Sequence, residues 1–156
     1  MRYPDLLPSL AIGAVAGARS MTPGALIAAA GLMGLRTPGR PAGLGSRPGQ
    51  LVALALGLGE LLGDKQPSAP PRTRPGALIA RVLSACMAGI ALAPAGRARL
   101  GGVLAVTMVI PSALIGLRAR TRAAKAVGPL KSALLEDGMV LLGGLACVMS
   151  AARINR

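Results

Sequence analysis

The sequence predicts an all-α protein, a polytopic integral membrane helical bundle with broken or re-entrant helices. Three observations predict it. Apolar residues make up 53% of the 156-residue chain, and its mean hydropathy is +0.59. Only 15% of residues are charged, against about 25% in soluble domains. Gly (22) and Pro (13) are abundant, as they are in transmembrane helices. The apolar runs show no alternation of the strand type. Tyr3 is the only aromatic residue, so the chain carries no aromatic belt; Arg side chains would anchor helix ends by snorkelling instead.

Six helical pieces follow in order. Leu6 to Ala18 is apolar but only about 20 Å long as a helix, too short for a core of about 30 Å. Arg19-Ser20-Met21-Thr22-Pro23 interrupts it. Thr22 is a good N-cap and Pro23 a good first helical residue, so a second helix should run from there to about Leu35. Residues 36–49 read as a basic Pro/Gly loop. Gln50 to Gly63 is the third helix, and residues 65–75 are another Pro-rich basic loop. Gly76 to about Pro94 is the fourth, with Arg81 near its start. Leu100 to Leu117 is uncharged and long enough to span, with Pro111 a candidate kink. After the basic stretch that follows, Ser132 to Ala152 is the last helix, with Glu136 and Asp137 near its start.

The length fits a single membrane domain over 1–156. Halves 1–75 and 76–156 share a pattern, G-x-R-x-x-T-x-x-A, at Gly17, Arg19, Thr22 and Ala25 and again at Gly116, Arg118, Thr121 and Ala124. Each copy is followed by a pair of acids. Chance in an Ala/Gly-rich chain and an internal inverted repeat both remain open; inverted repeats with broken helices mark transporters.

Charge and composition exclude several functions. The formal net charge is +13, but the cations lie between apolar runs and no aromatics are available for base stacking, so nucleic acid is not an expected partner. Loops facing an anionic leaflet explain the charge better. Basic residues occur in every loop, so orientation is undecided and antiparallel homodimers are compatible with it. The chain has no histidine; Cys86 and Cys147 match no metal spacing and read as buried thiols. No metal, cofactor or nucleophile system is expected, and the chain does not read as an enzyme. Asp5 near the first apolar run argues against a cleaved signal peptide.

Arg19 is the sharpest candidate residue. A cation between apolar runs is costly to bury and is by default a functional-site hypothesis. With Ser20, Thr22 and the free N–H groups of the next helix, it would hold an anion: a carboxylate, a phosphate or a lipid headgroup. The competing expectation is that Arg19 bonds helix-end carbonyls or forms an ion pair with Glu60 or Glu136. Glu60 and Asp64 share a helix face at i, i+4, and would bind a cation or carry a proton. Alternatively they tie helix ends together through Lys65, Arg74 and Arg81. Glu136 and Asp137 would suit the dipole of a helix first turn. Arg81, facing inward, would neutralise one of the acids. Gly13-x-x-x-Gly17 and Gly59-x-x-x-Gly63 would let helices approach closely within the chain.

"GARSMTP", "GELLGDKQP" and "ALLEDG" together make the chain resemble a bacterial family of small polytopic membrane proteins, catalogued as a domain of unknown function (number 4126). The corresponding residues are Gly17, Arg19, Thr22 and Pro23; Glu60, Asp64, Lys65 and Pro67; and Glu136 and Asp137. The resemblance implies a helical protein of the bacterial inner membrane and brings no activity with it. The residues themselves lead to an expectation of a small transporter or channel for an ion, an anionic solute or a lipid phosphate. Arg19, Ser20, Thr22 and Arg81 would bind; Glu60, Asp64, Lys65, Glu136 and Asp137 would couple or bind ions. The rival expectation is a non-transporting membrane scaffold or lipid-binding module.

Overall fold

The computed structural model describes residues 3–39, 43–63 and 75–154, and among these the regular structure is entirely helical. After a short 3₁₀ turn, Tyr3–Leu6, come α1 (Leu7–Ala18), α2 (Thr22–Leu32), α3 (Arg47–Gly63), α4 (Pro75–Leu92), α5 (Ala98–Thr107), α6 (Val109–Val127) and α7 (Pro129–Ile154). Among the described residues, three helical rods are long and apolar enough to cross a membrane: Pro75–Leu92, the α5–α6 pair over Ala98–Val127, and Pro129–Arg153. The chain is an all-α bundle with the features of a membrane protein.

Glycines set the helix order. Additional side chains at Gly13 and Gly17 would overlap the Ala105 and Val109 carbonyls, and Gly101 lies against Ser9. Each step of four residues along α1 matches a step of four along α5–α6, so these helices run parallel in close contact. Gly13-x-x-x-Gly17 therefore packs within the chain, as expected. Gly59 and Gly63 do not: a side chain at either would meet nothing within 4 Å. Gly57, two residues before Gly59, is the glycine of α3 that meets Ala25 of α2.

The interruption at Arg19 is a reversal. Gly144 of α7 lies against both Val15 of α1 and Leu26 of α2, whereas Arg19 meets Asp137 one and a half to two turns nearer the start of α7. Both helices thus leave the break toward the same end of the bundle. Contacts of Gly31 with Gln50 and of Gly57 with Ala25 make α2 and α3 antiparallel. One end therefore gathers the break, the end of α3, the start of α4 and the α6–α7 turn. The other end holds the α2–α3 connection, tied to α4 by the Gly39 N–H donating to the Ala91 carbonyl at 2.9 Å.

Several boundaries differ from expectation. The helix expected to stop at Leu117 continues to Val127, because Ala, Arg and Lys are strong helix formers and charge does not end a helix. Its regular helix is interrupted at Met108 rather than at Pro111 itself. Proline has no N–H for the carbonyl four residues earlier, and its ring crowds that carbonyl, here Thr107. The last helix starts at Pro129, after Gly128 at φ +89°, a conformation open to glycine. Glu136 and Asp137 therefore stand two turns inside α7 and not in its first turn, so the dipole does not account for them.

The core is built of small residues. Ile12, Ala16, Ala28, Ala85, Ala91, Leu92, Ala105, Val109 and Val148 are buried with almost no exposure. Small side chains bring helices close enough for dispersion contacts, which drive association where lipid is as apolar as the protein. The large apolar residues face outward instead: Leu62, Ile79, Val103, Ile115 and Leu142 are all exposed. In water such a surface would aggregate; against acyl chains it is in its own solvent.

Candidate functional site at the helix break

Arg19 is 1% exposed and among the largest fully buried side chains of the protein. Its Nη2 donates to Oδ1 of Asp137, which is also buried. The pair joins the end of α1 to α7 across 118 residues of sequence. A buried ion pair is costly to assemble and more costly to break by halves. The expected partners of Arg19 were Glu60 and Glu136; the contact found is with Asp137, the neighbour of Glu136.

Glu60 reaches the other side of the break. Its Oε1 accepts from the Ser20 N–H and the Ser20 hydroxyl, both at 2.7 Å. Its Oε2 accepts from the Met21 N–H at 2.9 Å and faces the Thr22 hydroxyl at 3.5 Å. Helix starts leave their first N–H groups without intrahelical partners, and these attract anions. Here the anion comes from α3 of the same chain. Thr22 is not the N-cap: Met21 occupies that position without a side-chain cap bond, Thr22 is the first helical residue and Pro23 follows. The proline at the second helical position sacrifices no hydrogen bond, since its N–H would have had no helical acceptor.

The cradle expected for an external anion is thus filled by a carboxylate. Ser20 and Thr22 are brought together, with Glu60 as their shared acceptor. Arg19 points away from them, to α7. Arg81 is buried at 5% exposure on α4, in keeping with an inward-facing cation. Asp64, Lys65 and Arg74, expected at the acidic helix end, lie outside the described residues. No group of three or more His, Cys, Asp or Glu able to hold a metal ion occurs among the described residues.

A second ion pair lies beside the first. Nη1 of Arg120 on α6 is 3.3 Å from Oε2 of Glu136, and the Ser132 hydroxyl donates to the Arg120 carbonyl at 3.3 Å. Glu136 and Asp137, adjacent in α7, therefore reach two different neighbours. Arg120 was not singled out in the sequence; Arg118, which carries the echo of Arg19, is exposed instead. Thr121, the echo of Thr22, donates within its own helix to the Arg118 carbonyl at 2.9 Å. A groove of about 250 Å³ runs alongside, between Ala18, Gly116, Ala123, Leu135, Met139 and the Arg120–Glu136 pair.

Comparison of the chain with protein-family models, with curated proteins and with solved structures gives no match.

Proposed function

We propose that this is a small transporter or channel of the bacterial cytoplasmic membrane, working at the helix break on an anionic solute, a small ion or a lipid phosphate. The observation that carries the reading is the capture of Glu60 by the start of α2. Two backbone N–H groups and two hydroxyls converge on one carboxylate, and any carboxylate or phosphate oxygen of similar size would suit the same donors. Glu60 then acts as an internal stand-in for the solute. A proton or cation taken up by Glu60 weakens its hold on the donors and exposes them. Solute and Glu60 alternate at one site, which couples solute movement to the charge state of a single carboxyl group. Arg19, fixed by Asp137, holds the tip of the α1–α2 hairpin against α7 while the exchange takes place.

Flux into proteoliposomes tests this. Wild type is expected to move at least one member of a panel of anions, cations and protons. Arg19→Ala should abolish that flux in the fraction that remains helical and monodisperse, at a cost in stability like that of any break of the Arg19–Asp137 pair by halves. Glu60→Gln should retain flux but lose its dependence on a pH gradient. Normal flux in Arg19→Ala would sink the reading.

A second reading, a non-transporting membrane scaffold or lipid-binding module, is favoured by the same closure: the break's donors are satisfied within the chain. It expects no flux for any solute and an association with anionic lipid that weakens with salt.

A further inference from the structure

One face of α6 changes character along its length. Ile110, Leu114 and Ile115 are exposed and apolar; Arg118, Arg122 and Lys125, further along the exposed side, are basic. Residues 118, 122 and 125 recur at the spacing that keeps them on one stripe. The stripe is about 10 Å long, comparable with the headgroup layer on one side of a bilayer. The opposite side of α6, with Gly116, Arg120 and Ala123, faces the groove and α7.

No exposed acid balances this stripe among the described residues. Glu136 and Asp137 are buried, and Glu60 is turned into the break. Among the described residues, the outer surface at this end is therefore cationic, although the bundle beneath contains three carboxylates. Leu130 and Leu134 of α7 are exposed close by in the chain, and offer apolar surface to the upper acyl region while the cations meet headgroups.

We infer that the Arg118–Arg122–Lys125 stripe of α6 is a docking surface for the phosphates of anionic phospholipids, and that it commits the break end of the bundle to an anionic leaflet. Basic side chains at a membrane surface are each attracted to anionic lipid, and a helix-borne row adds the attractions. Arginine contributes the larger share, because its fork binds phosphate oxygens in pairs. The inference stands apart from the transport reading, since lipid capture is measured without flux.

The test is native mass spectrometry of the full chain released from detergent after equilibration with equimolar phosphatidylglycerol and phosphatidylcholine. Wild type is expected to retain phosphatidylglycerol preferentially, and the preference should fall by about tenfold in Arg118→Gln/Arg122→Gln/Lys125→Gln. A control triple, Arg36→Gln/Arg97→Gln/Arg99→Gln at the other end, should keep it. Arg118→Lys/Arg122→Lys should retain part of it, and this second variant serves if the glutamines disturb folding. Preference unchanged in the stripe variant, lost equally in the control, or displaced by a short RNA rather than by added phosphatidylglycerol would overturn the inference.

Discussion

The tip of the α1–α2 hairpin and the outer stripe of α6 lie at the same end of the bundle and use the same residue type in opposite ways. Arg19 is sealed inside, with an ion pair to Asp137, and the neighbouring backbone donors are met by Glu60. Arg118 and Arg122 are exposed, with none of the described acids turned toward solvent beside them. Gly17, two residues before Arg19, packs beside Val109 and Ser112. The tip is thus about one to two helical turns deeper than Arg118. With the stripe set against an anionic leaflet, as inferred above, depth explains the contrast. A charge below the headgroups must bring its counter-charge from the protein, whereas one at headgroup level finds it in the lipid.

The largest effect should come from breaking the deep pair by halves. Asp137→Ala removes the carboxylate that accepts from Nη2 of a guanidinium at 1% exposure. A loss of about 3–5 kcal/mol is expected, a large share of the stability of a domain of this size. Thermal unfolding of the purified protein in detergent measures it. Arg19→Met combined with Asp137→Leu should recover much of that loss, because apolar residues of similar volume avoid the desolvation cost altogether. Recovery by the double variant with no flux would separate the structural task of the pair from any task in transport. A double variant as unstable as Asp137→Ala would show that the depth contrast is wrong.

Much of the break was legible in the sequence because membrane segments tolerate so few polar residues. Arg19, Ser20 and Thr22 stood out against apolar flanks, and Pro23 marked the restart of the helix. What Glu60 does was not legible. It lies 40 residues from Ser20, and only the antiparallel run of α2 and α3 brings it to the start of α2. Asp137 was foreseen as a site residue, but its role depended on where α7 begins, and the basic run before Ser132 hid a helix start at Pro129. Arg120 was missed for a related reason. Ending the preceding helix at Leu117 removed the rotational phase that separates Arg120 from Arg118 and Arg122. A signal was present: Gly116, Ala119 and Ala123 flank Arg120 at helical spacing, and small residues mark the side of a helix that packs. The outer side carries the long cations.

Glu60 comes next in size, and sharpens what kind of closure the tip has. Glu60→Ala removes both carboxylate oxygens that accept from the start of α2, and with them the acceptor of the Ser20 and Met21 N–H groups. About 2–3 kcal/mol should be lost, since hydrogen bonds to charged groups are worth more than neutral ones. Glu60→Gln keeps one carbonyl oxygen and should cost about 1 kcal/mol, the part owed to charge near the positive helix end. Hydrogen exchange at Met21 reads the same change locally: protection should fall strongly in Glu60→Ala and slightly in Glu60→Gln. Equal loss in both variants would mean that charge, not acceptor geometry, closes the tip.

The smallest effect tests the boundary between the two regions. The Arg120–Glu136 pair is intermediate in depth, with its side chains 27% and 11% exposed. Arg120→Gln should therefore cost about 1 kcal/mol, well below Asp137→Ala and above the stripe substitutions, whose effect on stability should stay within about 0.5 kcal/mol. Salt distinguishes the three classes as well. Raising ionic strength should leave the Arg19–Asp137 contribution nearly unchanged, reduce that of Arg120 in part, and abolish the lipid preference of Arg118, Arg122 and Lys125. A salt response ordered by depth is the signature of a bundle that supplies counter-charges inside and leaves them to the lipid outside. If Arg120 were as salt-insensitive as Arg19, the groove beside it would have to be closed to solvent and lipid, and the headgroup boundary would move outward from Arg118 toward Lys125.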